Sequence, residues 1–190
     1  DNPTSEGLSL RALMERDGAK LLGSAVRPAL GGRFPILVKF LFTKEKLSVQ
    51  VHPDDAYGEE YEGSPGKTEM WFVLRADEGA TIAAGFRRTL APEQLRQAVY
   101  EGTVESELEW CPAEAGQCYF VPAKTVHAGG AGVVICEIQQ NSDVTYRLWD
   151  YGRNRELHVE NSLAVADLGP HPGPVAPVPF SSTDTVSVEL

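Results

Sequence analysis

A chain of 190 residues with a formal net charge of −10 excludes a broad surface for nucleic acid or for an anionic membrane, since both partners carry the same sign. At 42% hydrophobic and 23% charged residues, it has the composition of a globular protein with core enough for one domain. No apolar run approaches the roughly 20 residues of a membrane span. Cys111, Cys118 and Cys136 lack metal-ligand spacing and read as reduced thiols, so a cytoplasmic location is expected.

In chain order, residues 1–7 are polar, with Pro3 and Gly7, and form a loose entry. Ser9 caps a short helix with Leu10, Leu13 and Met14 on one face and Gly18 as its stop. Phe34 to Phe42 is nearly all apolar and reads as a buried strand, with Lys39 the exception inside it. That lysine either snorkels out or meets an anion at the strand end. Lys46 to His52 alternates: Leu47, Val49 and Val51 fall on one face, Ser48, Gln50 and His52 on the other, the period of a half-buried strand. The polar face is either wetted or turned into a cavity. An acidic loop, Asp54 to Glu62, and a turn at Gly63 to Gly66 lead to strands at Thr68–Arg75 and Thr81–Phe86. Pro92 opens the clearest helix, with Leu95 and Val99 on one face and Gly102 at its end. Trp110 and Cys111 sit in a further short segment. Gly116–Pro122, Val133–Gln140 and Val144–Asp150 read as three more strands, and His158 onward as a last helix. Beyond Leu168 the chain is rich in proline, with His171 in solvent and a possible strand at Thr185–Leu190. Many short strands broken by Gly and Pro turns predict a mainly β protein, an antiparallel sandwich or barrel.

Several polar residues stand out against this pattern. Glu69 lies among apolar neighbours, so it must be paired, protonated or bound to a cation. His127 stands where a strand meets a turn, and Arg147 interrupts an apolar strand and needs an anionic partner. Gln50, His52, Glu69 and His127 together form an acceptable mixed nitrogen and oxygen set for Zn²⁺ or a similar divalent ion. The competing reading scatters them over core and surface, and spacing alone does not decide.

Phe34-Pro-Ile-Leu-Val-Lys39, Leu47-Ser-Val-Gln-Val-His-Pro-Asp54, Gly66-Lys-Thr-Glu-Met-Trp71, Val121-Pro-Ala-Lys-Thr-Val-His-Ala128 and Glu137-Ile-Gln-Gln-Asn-Ser-Asp-Val-Thr-Tyr-Arg147 follow one another in this order, and Asp150-Tyr-Gly-Arg153 and Arg155-Glu-Leu-His158 come after them. From about residue 34 to 160 the chain resembles type I mannose-6-phosphate isomerase in its short bacterial form. The resemblance implies a cupin-type antiparallel jelly-roll barrel with a few short helices, spanning residues 34–168 between an N-terminal segment 1–33 and a tail 169–190. It implies one Zn²⁺ per chain, held by Gln50, His52, Glu69 and His127. Arg147 matches the catalytic arginine, Lys67 and Glu137 match polar residues lining the pocket, and Ser48 and Lys39 match positions associated with the sugar phosphate. The implied reaction interconverts mannose 6-phosphate and fructose 6-phosphate through a cis-enediol. Either Glu137, its pKa raised by burial, or Lys67, its pKa lowered by a nearby cation, is expected to shuttle the proton. The alternative is a metal-binding cupin that recognises a sugar phosphate without turnover. Such relatives are longer at both ends, so the chain reads either as part of a larger isomerase or as a compact member. The expected partner is a small sugar phosphate rather than nucleic acid or membrane, and the expected state is monomer or homodimer.

Overall fold

A computed structural model describes residues 7–23, 26 and 32–175 of the chain. The elements are α1 (Leu10–Leu22), β1 (Ile36–Phe42), β2 (Val49–Val51), α2 (Asp55–Tyr57, running into a π-helical turn at Gly58–Glu62), β3 (Glu69–Ala76), β4 (Thr81–Phe86) and α3 (Pro92–Tyr100). There follow α4 (Val104–Glu107), β5 (Leu108–Pro112), β6 (Cys118–Val121), β7 (His127–Gly129), β8 (Val133–Gln140), β9 (Tyr146–Trp149) and α5 (Val159–Val165). The strands form two sheets, ordered β1-β8-β3-β6 and β5-β4-β7-β2-β9, and every pairing is antiparallel. This is a mainly β, cupin-type architecture with few short helices, as the sequence predicts.

Two apolar clusters organise it. One, with Trp71, Val73, Ile82, Tyr119, Val121 and Ile135, fills the space between the sheets. The other packs Leu95 and Val99 of α3 and Val165 of α5 onto Val49, Val51, Ala128, Tyr146 and Leu148. The five-stranded sheet is therefore covered on both faces. Val49 and Val51 point at the helices, and the polar residues between and after them, Gln50 and His52, point into the space between the sheets. The polar face of this alternating strand is its interior face, which a strand reaches only when both its faces are buried.

Several expectations need correction. The Phe34–Phe42 run is not a buried strand. β1 is an edge strand on which Leu37, Lys39 and Leu41 turn inward while Ile36, Val38, Phe40 and Phe42 stay 46%, 52%, 62% and 71% exposed among the described residues. With apolar residues on both faces, the sequence carries no period to tell the faces apart. Gly18 does not stop α1: Asp17 leaves helical geometry (φ −133°, ψ 20°), but the helix resumes and ends at Gly23, whose amide bonds to Ala19 O. The acidic loop is largely helical, with Asp54 Oδ1 accepting from Tyr57 N at 3.0 Å to cap it. His171 is half-buried, donating from Nε2 to Phe120 O at 2.8 Å. Gly85, at φ +70°, lets this segment lie close, since a β-carbon there would stand 2.6 Å from His171 N. The expected strand at Thr185–Leu190 lies outside the described residues.

Candidate metal centre and its surroundings

Sheet register brings the candidates together. In the five-stranded sheet, Arg147, Gln50, His127 and Ala84 lie side by side across β9, β2, β7 and β4. In the four-stranded sheet, Leu37, Gln139, Glu69 and Val121 form one row, and Lys39, Glu137, Trp71 and Tyr119 the next. His52 and Lys67 are positioned by the neck of the intervening loop. Lys67 N bonds to Pro53 O at 3.0 Å, and Gly66 N bonds to Asp55 Oδ1 at 2.8 Å. A β-carbon on Gly66 would meet Asp54 C at 2.4 Å, so this neck closes only on glycine.

Glu69, His52 and His127 converge, with relative exposures of 1%, 1% and 0%. Their ligand atoms lie within 4.8 Å of one another. His52 Nδ1 donates to Val144 O and His127 Nδ1 to Thr125 O, each at 2.9 Å. A carbonyl only accepts, so both imidazoles carry their proton on Nδ1 and turn an Nε2 lone pair inward, with Lys67 Nζ 3.2 Å from that of His52 and Gln50 Nε2 3.2 Å from that of His127. Those lone pairs face Glu69 Oε1 at 3.5 Å from His52 and 2.9 Å from His127. Neither Glu69 oxygen has a hydrogen bond of sound geometry. Two imidazole lone pairs beside a buried carboxylate call for positive charge among them; Lys67 supplies one ammonium, 3.2 Å from Glu69 Oε2, and the two nitrogens and the carboxylate are a donor set of the type that fits a divalent cation. Burial holds the His52 pKa down at about 4. For His52 the ligating form, neutral imidazole, is thus the favoured one.

Gln50 stands beside this cluster. Its Nε2 lies 3.2 Å from His127 Nε2, and its Oε1 accepts from Ser48 Oγ at 3.3 Å. A half-turn of the amide exchanges the two atoms and directs the oxygen at the cluster. Ser48 is buried and reaches the centre only through Gln50.

Around the cluster lies a charged network. Lys67, which as a screened surface residue would be in water, is 5% exposed, and its Nζ stands 3.2 Å from both Glu69 Oε2 and His52 Nε2. Glu137 Oε1 accepts from Trp71 Nε1 at 3.0 Å, and its Oε2 is 3.3 Å from Lys39 Nζ. Burial and the negative charge of Glu69 raise the Glu137 pKa above its usual value, against the pull of Lys67 and Lys39. Arg147 does not have the anionic partner that its setting demands. Its Nε is buried without a hydrogen bond, and no ion pair among the described residues includes it. A guanidinium without a carboxylate partner, beside a cluster that could hold a cation, has the charge and geometry to receive an anionic ligand. His158 stays out of the site: its Nδ1 accepts from Arg147 N at 3.3 Å, and its amide bonds to Arg147 O.

Four contributors escape a reading by residue type. The carbonyls of Thr125 and Val144 are backbone and carry no signal. Trp71 reads as core, yet its indole N–H holds Glu137. Gln139 shares the inward face of β8 with Glu137, a period-two signal that strand alternation does contain.

Comparison with known proteins bears on the family of the chain. Residues 3–82 match the family described as phosphomannose isomerase type I, catalytic domain. The mannose-6-phosphate isomerase of Streptococcus mutans is 46% identical over 142 residues, covering 72% of this chain and 45% of that protein. The mannose-6-phosphate isomerase ManA of Bacillus subtilis is 41% identical over 145 residues, covering 73% and 46%. The crystal structure of the mannose 6-phosphate isomerase from Bacillus subtilis has a TM-score of 0.79 at 36% identity, over 97% of this chain and 58% of that one. The chain spans about half the length of the curated relatives it matches.

Proposed function

For a chain that belongs to the type I phosphomannose isomerase family, we propose metal-dependent interconversion of mannose 6-phosphate and fructose 6-phosphate through a cis-enediol. The observation that carries this reading is the convergence of two carbonyl-oriented imidazoles on the buried, unbonded carboxylate of Glu69. His52, Glu69 and His127, joined by Gln50, would hold Zn²⁺, which when bound supplies a Lewis acid for the sugar's carbonyl and hydroxyl oxygens.

The chain's own residues account for the rest. Isomerisation takes a proton from C2 of the open-chain aldose and returns one to C1, while O1 gains a proton and O2 loses one. Glu137 is the group for the carbon-bound proton. Its raised pKa brings it closer to neutrality, and Trp71 and Lys39 fix both of its oxygens. Lys67 is less suited, because an ammonium held between Glu69 and His52 has no free lone pair with which to act as a base. Arg147 lies one strand from Gln50 and offers a permanent charge to the enediolate oxygen. Lys39, on the edge strand and partly exposed, faces the phosphate end. Ser48 donates to Gln50 Oε1 beside the cluster, so its part is to orient that amide.

A coupled assay of fructose 6-phosphate formation from mannose 6-phosphate tests the reading, run on zinc-replete protein, chelator-treated protein and Glu69→Ala. Turnover is expected only in the first and is restored to the second by Zn²⁺. Stoichiometric zinc and sugar-phosphate binding without turnover would replace the isomerase by a binding module.

A further inference from the structure

We infer that Gln139 is a positioning residue that holds the Lys39 ammonium at the phosphate end of the site, an inference that rests on the sugar-phosphate reading above. Gln139 is 2% exposed, with its whole side-chain amide committed. Its Oε1 accepts from Lys39 Nζ at 2.6 Å. Its Nε2 donates to Gln140 O at 2.9 Å and to Ser142 O at 2.8 Å. Both protons and one lone pair are used, so the amide cannot turn over without placing a carbonyl oxygen against two others.

Lys39 needs such a partner. It projects from an edge strand, and the one carboxylate near its ammonium, Glu137 Oε2, is 3.3 Å away. A lysine side chain has several free torsions, and a single ion pair to Glu137, with the lysine side chain still 35% exposed, leaves some of them open. The short bond to Gln139 fixes it on the inward side. The other end of the same amide is anchored to the turn that follows β8. That turn carries Ser142, whose Oγ donates to Pro65 O at 2.8 Å, and Val144, whose carbonyl orients His52. Gln139 thus sets the distance between the cation at the sheet edge and the ligand-bearing centre, in a row where Glu69 is its direct neighbour. A neutral amide does this without adding a second carboxylate to the one that Glu137 already sets 3.3 Å from the ammonium. The charge stays available to an anionic group of the substrate.

The test is a double-mutant cycle on the zinc-replete protein with Gln139→Met, Lys39→Met and the pair, read as kcat and KM for mannose 6-phosphate. Gln139→Met is expected to raise KM by about tenfold, the scale of one charge-assisted hydrogen bond, with kcat changed much less. Lys39→Met is expected to raise KM at least as far, and the double variant no further than Lys39→Met alone. Effects of the two substitutions that multiply, or a Gln139→Met loss confined to kcat, would overturn the inference and leave the isomerase reading intact. Gln139→Glu supplies a second arm that does not depend on tolerance of methionine. It keeps an acceptor for Lys39 but sets a second carboxylate against it, so it too should raise KM, and an unchanged KM would count against the assignment. Wild-type protein that neither turns over nor binds mannose 6-phosphate would instead sink the reading on which the inference rests.

Discussion

The two ends of the space between the sheets are built from the same strands and differ in kind. β3 contributes Val73 at one end and Glu69 at the other, and β8 contributes Val133 and Ile135, then Glu137 and Gln139, all on one inward face. The apolar end closes as ordinary core. The polar end buries His52, Lys67, Glu69, His127, Glu137 and Gln139. Such groups are not stable in an interior unless paired, and here both Glu69 oxygens and Arg147 Nε stay without a hydrogen bond, so that a cation and an anion fit beside them. The comparison teaches that one end sets stability and the other chemistry, with Trp71 at the seam: it belongs to the inter-sheet core and holds Glu137.

Substitution at the seam has the largest expected effect. Trp71→Ala removes a fully buried side chain and frees Glu137, so a loss of about 4 kcal/mol in a urea titration is expected together with loss of turnover. If folding survives unchanged, the two ends are not joined there. Glu69→Gln keeps volume and removes the charge. Zinc affinity, measured by competition with a chromogenic chelator, should fall by at least about 100-fold, with a smaller change in the urea midpoint of chelator-treated protein. Equal zinc affinity would place the cation elsewhere.

A third effect is carried by pH. The His52 pKa lies at about 4 in the fold against 6.5 in the unfolded chain. The unfolded state therefore takes up a proton that the folded state refuses, and chelator-treated protein loses stability as the pH falls from 6.5 towards about 4. His52→Gln should lack up to one proton's worth of that slope, and equal slopes in the two proteins would show that His52 is not buried neutral. The smallest effect belongs to the apolar end: Ile135→Val should cost about 1 kcal/mol while leaving zinc affinity and KM unchanged. A changed zinc affinity in that variant would show that the ends are coupled.

How much of this was legible varies by residue. Gln50 and His52 read correctly as a pair on one face, because strand alternation is local and strict. Glu69 announced itself as a carboxylate in an apolar setting. β1 misled, since an all-apolar run does not say which face is covered. Lys67 read equally well as a surface residue, because its burial depends on the neck at Gly66 and Asp55. Gln139 shares its period with Glu137, but its role exists only through Lys39, one hundred positions away in the chain.

The sequence by itself determined most of the strands, β5 and β7 excepted, together with turn residues between them and the chemical types of the donors, all properties of a few neighbouring residues. Tertiary structure alone decided that the donors meet. Sheet register aligns Gln50 with both His127 and Arg147, and Glu69 with Gln139. Carbonyls remote in sequence or set by the backbone, Val144 O and Thr125 O, choose the tautomers that turn two lone pairs towards Glu69. Register and tautomer depend on pairings between distant or backbone atoms, and side-chain type does not encode them.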